Sequence, residues 1–150
     1  MVRIKEELYN QCLQYVEECI STAQQAINAA RESANDDTKS SAGDKYETGR
    51  EMMQQEIDRN RKQLHEAKKL KVILEQIDPL KVTDTVQNGS LVMTNYGKFY
   101  VSISRGQMLL QDSNYFAISA ASPIGLKLMK KQAGDEFDFN GKLFKIEYIV

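Results

Sequence analysis

The 150-residue chain has no tryptophan, one histidine, two cysteines and two prolines, and its formal net charge at neutral pH is only -1. Each scarcity excludes something. With 20 basic residues against 21 acidic ones, no excess of Lys and Arg is left to neutralise phosphates. Bulk-charge coating of nucleic acid is therefore excluded, and any nucleic-acid connection should run through a protein partner. No apolar run approaches the roughly 18 residues of a membrane span, and the opening segment from Met1 to Gln11 lacks the apolar stretch of a signal peptide. The expected address is the cytoplasm, with no membrane partner. Cys12 and Cys19 are separated by about 10 Å along a helix axis, too far for a disulfide. With His65 they also make too few ligands for a structural zinc site. A Cys12–His65 nucleophile pair lacks a pocket, oxyanion donors and a third residue to orient the imidazole. No Gly-rich phosphate loop or nucleophile elbow is present. The chain is expected to be no enzyme by itself and to carry no cofactor.

What is present divides near Asp78-Pro79. Residues 1–78 are proline-free and rich in Gln, Glu, Lys, Arg and Ala, the composition of helix. Tyr9, Leu13, Val16, Ile20, Ala23, Ile27 and Ala30 recur at spacings of four and three, predicting a helix from about Arg3 to Ser33. A second stripe, Tyr46, Met53, Ile57, Leu64, Ala67, Leu70 and Leu74, predicts another from about Asp44 to Gln76. Between them, Asn35 to Gly43 is full of side chains that compete with helix and favour a reversal. An antiparallel register then sets Ile20 opposite Ile57 and Leu13 opposite Leu64, a hairpin whose arms would be about 45 Å long. The same heptads also fit an intermolecular coiled coil, a structural adaptor that would dimerise through a helix. The closed hairpin instead predicts a monomer.

Residues 79–150 shift to Val, Ile, Phe, Tyr and Gly. Alternation predicts strands at Leu91 to Met93, Phe99 to Ile103, Tyr115 to Ile118, Glu136 to Phe139 and Leu143 to Ile149, the last two flanking the Asn140-Gly141 hairpin signal. Ser122 as cap, Pro123 in the first turn and Gly134 at the exit predict one helix from Pro123 to about Gln132. The whole reads as α+β: a long antiparallel helical hairpin, then a small antiparallel sheet with one helix.

Two clusters are candidate sites. Asp36, Asp37, Asp44 and Glu47 crowd the reversal, at about 35–44, with Glu32 nearby. Carboxylates are the ligands Mg²⁺ prefers, and an acidic tip too weak to hold the ion alone would help retain it in a site that already binds one. The plainer reading is a solvated turn whose acids cap and favour the second helix. Lys127, Lys130 and Lys131 are expected on one side of the short helix, with Lys142 on the nearby hairpin, where they would dock an acidic protein surface or form an ordinary solvated face.

The carboxyl-terminal residues carry a resemblance. Ile118-Ser119, Ser122-Pro123-Ile124-Gly125, Leu128, Lys131, Gly134-Asp135 and the closing Phe144, Ile146 and Ile149 resemble the pattern of the Gre family of bacterial transcription elongation factors over residues 85–150. The resemblance implies an FKBP-like carboxyl-terminal domain and RNA polymerase as partner. The globular domain would dock at the secondary channel while the coiled coil reaches toward the catalytic Mg²⁺, an ion shared with the polymerase, so that nucleic acid is met only indirectly. In this family's cleavage factors a motif like DLSENAEY supplies the acids. Here Ser41 and Tyr46 match its Ser and Tyr, but Lys39 and Ala42 stand at the two acids. The resemblance therefore implies either a factor modulating transcript cleavage or elongation, with the neighbouring carboxylates substituting, or a regulator that occupies the channel without cleavage. Peptidyl-prolyl isomerase activity, suggested by an FKBP-like fold, lacks the aromatic pocket that such a site needs.

Overall fold

A computed structural model describes the backbone of residues 2–39 and 43–150, and the side chains of 2–33 and 49–150. Two long helices, α1 (Val2–Lys39) and α2 (Gly43–Glu75), precede strands β1 (Leu91–Thr94), β2 (Gly97–Ser102), β3 (Gly106–Leu110) and β4 (Ser113–Ser119). The short helix α3 (Pro123–Leu128) and strands β5 (Glu136–Phe139) and β6 (Lys142–Ile149) follow. The class is α+β, as expected. Among the described residues no helix is long and apolar enough to cross a membrane.

α1 runs six residues beyond the expected end at Ser33. Asn35 to Lys39 are only weakly unfavourable in helix, a few tenths of a kcal/mol each, and no glycine or proline occurs before Gly43 to break it. The longer helix moves the reversal and with it the register. Ile57 buries with Ile27 and Ala30 and against Met53 and Leu64, where the sequence register set it opposite Ile20.

The chain forms two compact units, one of Met1–Tyr15 with Val72–Val150 and one of Val16–Lys71. The composition change at residue 78 thus falls inside the first unit. Its six-stranded sheet has the order β3-β4-β2-β1-β6-β5. Four pairings are antiparallel, but β2 and β4 run parallel, Phe99 beside Phe116 and Val101 beside Ile118. The sheet is mixed rather than antiparallel because an additional strand, β3, forms a hairpin with β4 and returns it alongside β2.

Both faces of the sheet's centre are covered, which is why all four residues of β1 are buried. On one face Val92, Phe99, Val101, Phe144 and Ile146 pack with Leu128 of α3. The opposite parity, Leu91, Tyr100, Ser102 and Met108, is also buried, and there Cys12 of α1 lies against Ser102 and Met108. The Lys5 ammonium, 1% exposed, donates to the Lys81 and Val150 carbonyls. The Tyr9 hydroxyl donates to the Leu74 carbonyl at 3.0 Å.

α3 is shorter than the expected span to Gln132. Lys130 takes a left-handed backbone, φ 67°, and the strand-like exchange of Lys130 N to Val86 O and Val86 N to Lys131 O, both 2.9 Å, draws the chain away from the helix.

Candidate functional site

The first candidate is the acidic reversal. Asp36 and Asp37 fall within α1 rather than in a loop, and Asp44 and Glu47 in the opening turns of α2. The side chains of all four lie outside the described residues. Glu32, nearby on α1, is exposed. Among the described residues no three His, Cys, Asp or Glu side chains converge as a metal site.

The second candidate is the lysine set, which the structure distributes differently from the sequence expectation. Only Lys127 is on α3; Lys130 and Lys131 belong to the segment paired with Val86, because the helix has already ended. Two of the four are nevertheless linked by an aromatic row. Lys131 Nζ lies 6.0 Å from the centre of the Phe137 ring, which stacks on Phe144 at 5.2 Å. Phe144 in turn meets Tyr96 at 4.9 Å, and Lys142 Nζ sits 5.3 Å from the Tyr96 ring centre. Ring quadrupoles hold each ammonium without using its N–H donors, so the charges stay available to an acidic surface. Lys127, Lys130 and Lys142 are exposed. Glu136 and Asp138, also exposed on β5, make the surface mixed in sign.

The turn before α3 is the most closely determined piece of local geometry. Ser122 has extended backbone and accepts from Gly125 N at 3.1 Å, while its hydroxyl donates to Ser119 O at 2.7 Å. Pro123 occupies the first turn, where a missing N–H costs nothing. A side chain at Gly125 would run into the Ser119 carbonyl. The motif residues Ser119, Ser122, Pro123 and Gly125 thus each hold a place in one compact turn.

No family model matches the chain, and no curated protein matches it. One solved structure, described as that of the transcription factor Gfh1, is similar at 21% identity and a TM-score of 0.35, over 94% of this chain and 92% of that one. Similarity of that degree decides neither fold nor function.

Two further features escaped the sequence reading. The Cys12 thiol is buried, 3.6 Å from Ser102 Oγ and 3.9 Å from Met108 Sδ. Burial pushes its pKa up, against the Ser102 hydrogen bond and the Arg105 charge, which pull it down. A thiol held protonated is a poor nucleophile. His65 is exposed. Tyr100 is raised as well, first by burial, and its hydroxyl has no hydrogen-bond partner. No local signal could have shown this cluster, since it joins a helix to strands some 90 residues away. The second feature is an open cavity of about 370 Å³ lined by Ile77, Asp78, Lys81, Gln87, Asn88 and Ser90 among others. Its Thr83 and Ser90 hydroxyls bond each other, and Ser90 also accepts from Gln87 N. The buried Ser90 and half-buried Thr83 hydroxyls are thus already satisfied and point to no ligand.

Proposed function

We propose that this chain is a Gre-like transcription factor that binds RNA polymerase at its secondary channel and directs its helical reversal toward the polymerase's catalytic Mg²⁺. What carries the reading is the combination of a long helix pair having carboxylates at its reversal with an α+β unit whose Gre-like motif residues, Ser119 to Gly125, build one specific turn. Asp36, Asp37, Asp44 and Glu47 form a donor set of the hard-oxygen kind that suits Mg²⁺. They are the residues that would share the ion, which when bound polarises a phosphodiester and its attacking water. Lys127, Lys130, Lys131 and Lys142 would contribute docking contacts to an acidic polymerase surface.

The test is transcript cleavage in stalled, backtracked elongation complexes, with polymerase binding measured in parallel. RNA shortening that depends on this protein and is lost in Asp36→Ala/Asp37→Ala/Asp44→Ala supports a cleavage factor. A specific observation favours a second reading: Lys39 and Ala42 stand where the family's motif has acids, which suits a factor that occupies the channel without promoting cleavage. Binding without cleavage supports that one. Absence of binding rejects both and restores the coiled-coil adaptor.

A further inference from the structure

The sheet ends in two edge strands, β3 and β5, and they are guarded differently. Phe139 and Lys142 flank a two-residue turn and form a hydrogen-bonded pair, as do Phe137 and Phe144, so the backbone groups of Glu136 and Asp138 face outward. Both outward residues carry exposed carboxylates, a common guard against pairing with another chain. By the same alternation Leu110, Met108 and Gly106 bond to β4, and the backbone of Gln107 and Leu109 faces outward. Nothing on that strand is charged and none of it is proline. Leu109 is 64% exposed, and Phe116, which shares its face, is 37% exposed. The space beside Gly106 is open. Arg105 covers one end of the edge: its Nη1 donates to Gln107 O at 3.0 Å, and its guanidinium lies 5.5 Å from the centre of the Tyr15 ring.

We propose that β3 pairs antiparallel with β3 of a second copy of this chain about a two-fold axis at Met108, joining two sheets edge to edge. The occupant is a second copy because the edge is self-complementary. In that register Gln107 of one copy faces Leu109 of the other, both with outward backbone groups, so the two pairs exchange about four hydrogen bonds. The Gln107 carbonyl has two lone pairs and accepts from the new partner without releasing Arg105. At each end Arg105 comes alongside Gln111 and Asp112 of the other copy, placing opposite charges together. The contact is small compared with a standard interface, so weak and reversible association is expected. It uses neither long helix and does not depend on the proposed function.

Sedimentation equilibrium of the full chain from about 10 µM to 1 mM tests this. A reversible monomer–dimer equilibrium is expected, weakened about tenfold or more by Leu109→Lys, which places an ammonium on the edge. In a Cys12→Ala/Cys19→Ala background, Gln107→Cys with Leu109→Cys should oxidise to a disulfide-linked dimer. Opposed residues of a hydrogen-bonded pair have Cα atoms about 5.5 Å apart, inside the disulfide range. Gln107→Cys alone, which faces an unaltered Leu109 across the axis, should not. A monomer throughout, a dimer indifferent to Leu109→Lys, or equal cross-linking by the single and the paired cysteine variants would overturn the proposal.

Discussion

A Cβ at position 125 would meet both the Ser119 carbonyl and the Ser122 hydroxyl that caps α3. Because backbone, not a flexible side-chain end, stands in the way, Gly125→Ala is expected to destabilise by roughly 3 kcal/mol. Gly134→Ala, at φ 91° but with open space around it, should cost only about 1 kcal/mol. Urea unfolding midpoints at unchanged slope separate the two. Buried titratable groups act at the same scale and with opposite signs. The folded state holds the Cys12 proton above the ordinary value of 9.0, so its stabilisation is complete below that pH and is lost as pH climbs through the raised value. Tyr100 adds a loss of the same sign above its ordinary 10.0. Lys5 is lowered from 10.5, chiefly by burial, so the folded chain sheds that proton first and stability rises with pH up to the ordinary value. Denaturant melts from about pH 7.5 to 10.5 should show a shallower alkaline decline in Cys12→Ala and a steeper one in Lys5→Met.

At the scale of elements, legibility followed local chemistry. The β5–β6 hairpin was readable because Asn140 and Gly141 suit the positive φ values they adopt, 52° and 75°. The β3–β4 hairpin makes a similar turn with Gln111 and Asp112, at 49° and 60°, and neither residue announces it. β3 itself, GQMLL, has no β-branched residue and little alternation of polarity. Missing β3 also hid the parallel β2–β4 pair, which is intelligible only once β3 turns the chain back. The same reasoning predicts a gain: Gln111→Asn with Asp112→Gly should raise stability by about 1 kcal/mol, measured by thermal or urea unfolding, by relieving two side chains from left-handed backbone. Asn95→Ala should do the reverse. Its side chain donates to Leu143 O and accepts from Lys145 N, at 3.1 and 2.8 Å, fastening the β1–β2 turn to β6. Loss of both bonds should cost about 1–2 kcal/mol and accelerate hydrogen exchange at Lys145. Of the candidate sites, the lysine arrangement was not legible, because its grouping assumed a longer α3. The acids were grouped by sequence proximity alone, and the side chains of Asp36, Asp37, Asp44 and Glu47 lie outside the described residues.

For the whole molecule, the decisive fact is that the first fifteen residues share a compact unit with the sheet. Composition placed a boundary at Asp78-Pro79, yet Leu8, Cys12 and Leu74 are all fully buried, and Cys12 is buried against strands. A fragment of residues 79–150 would uncover Leu91, Tyr100 and Met108 on the face that Cys12 meets. It is expected to show no cooperative thermal transition and a weak near-ultraviolet circular dichroism signal, whereas the full chain is expected to melt cooperatively with a stronger signal. Periodicity could not reveal this sharing, because one apolar stripe on α1 serves the sheet in its first turns and α2 further on.

The same union of early and late residues bears on how the chain is made. Cys12 belongs to a unit whose sheet is completed by β6, where Val92 pairs with Ile149. At about 5–20 residues per second, a ribosome needs roughly 7 to 30 s to travel between these positions. Throughout that interval the start of α1 has been synthesised while the sheet it belongs to is incomplete. Folding of this unit is therefore deferred until β6 has emerged from the ribosome, and until then the start of α1 depends on chaperones or on provisional helix pairing.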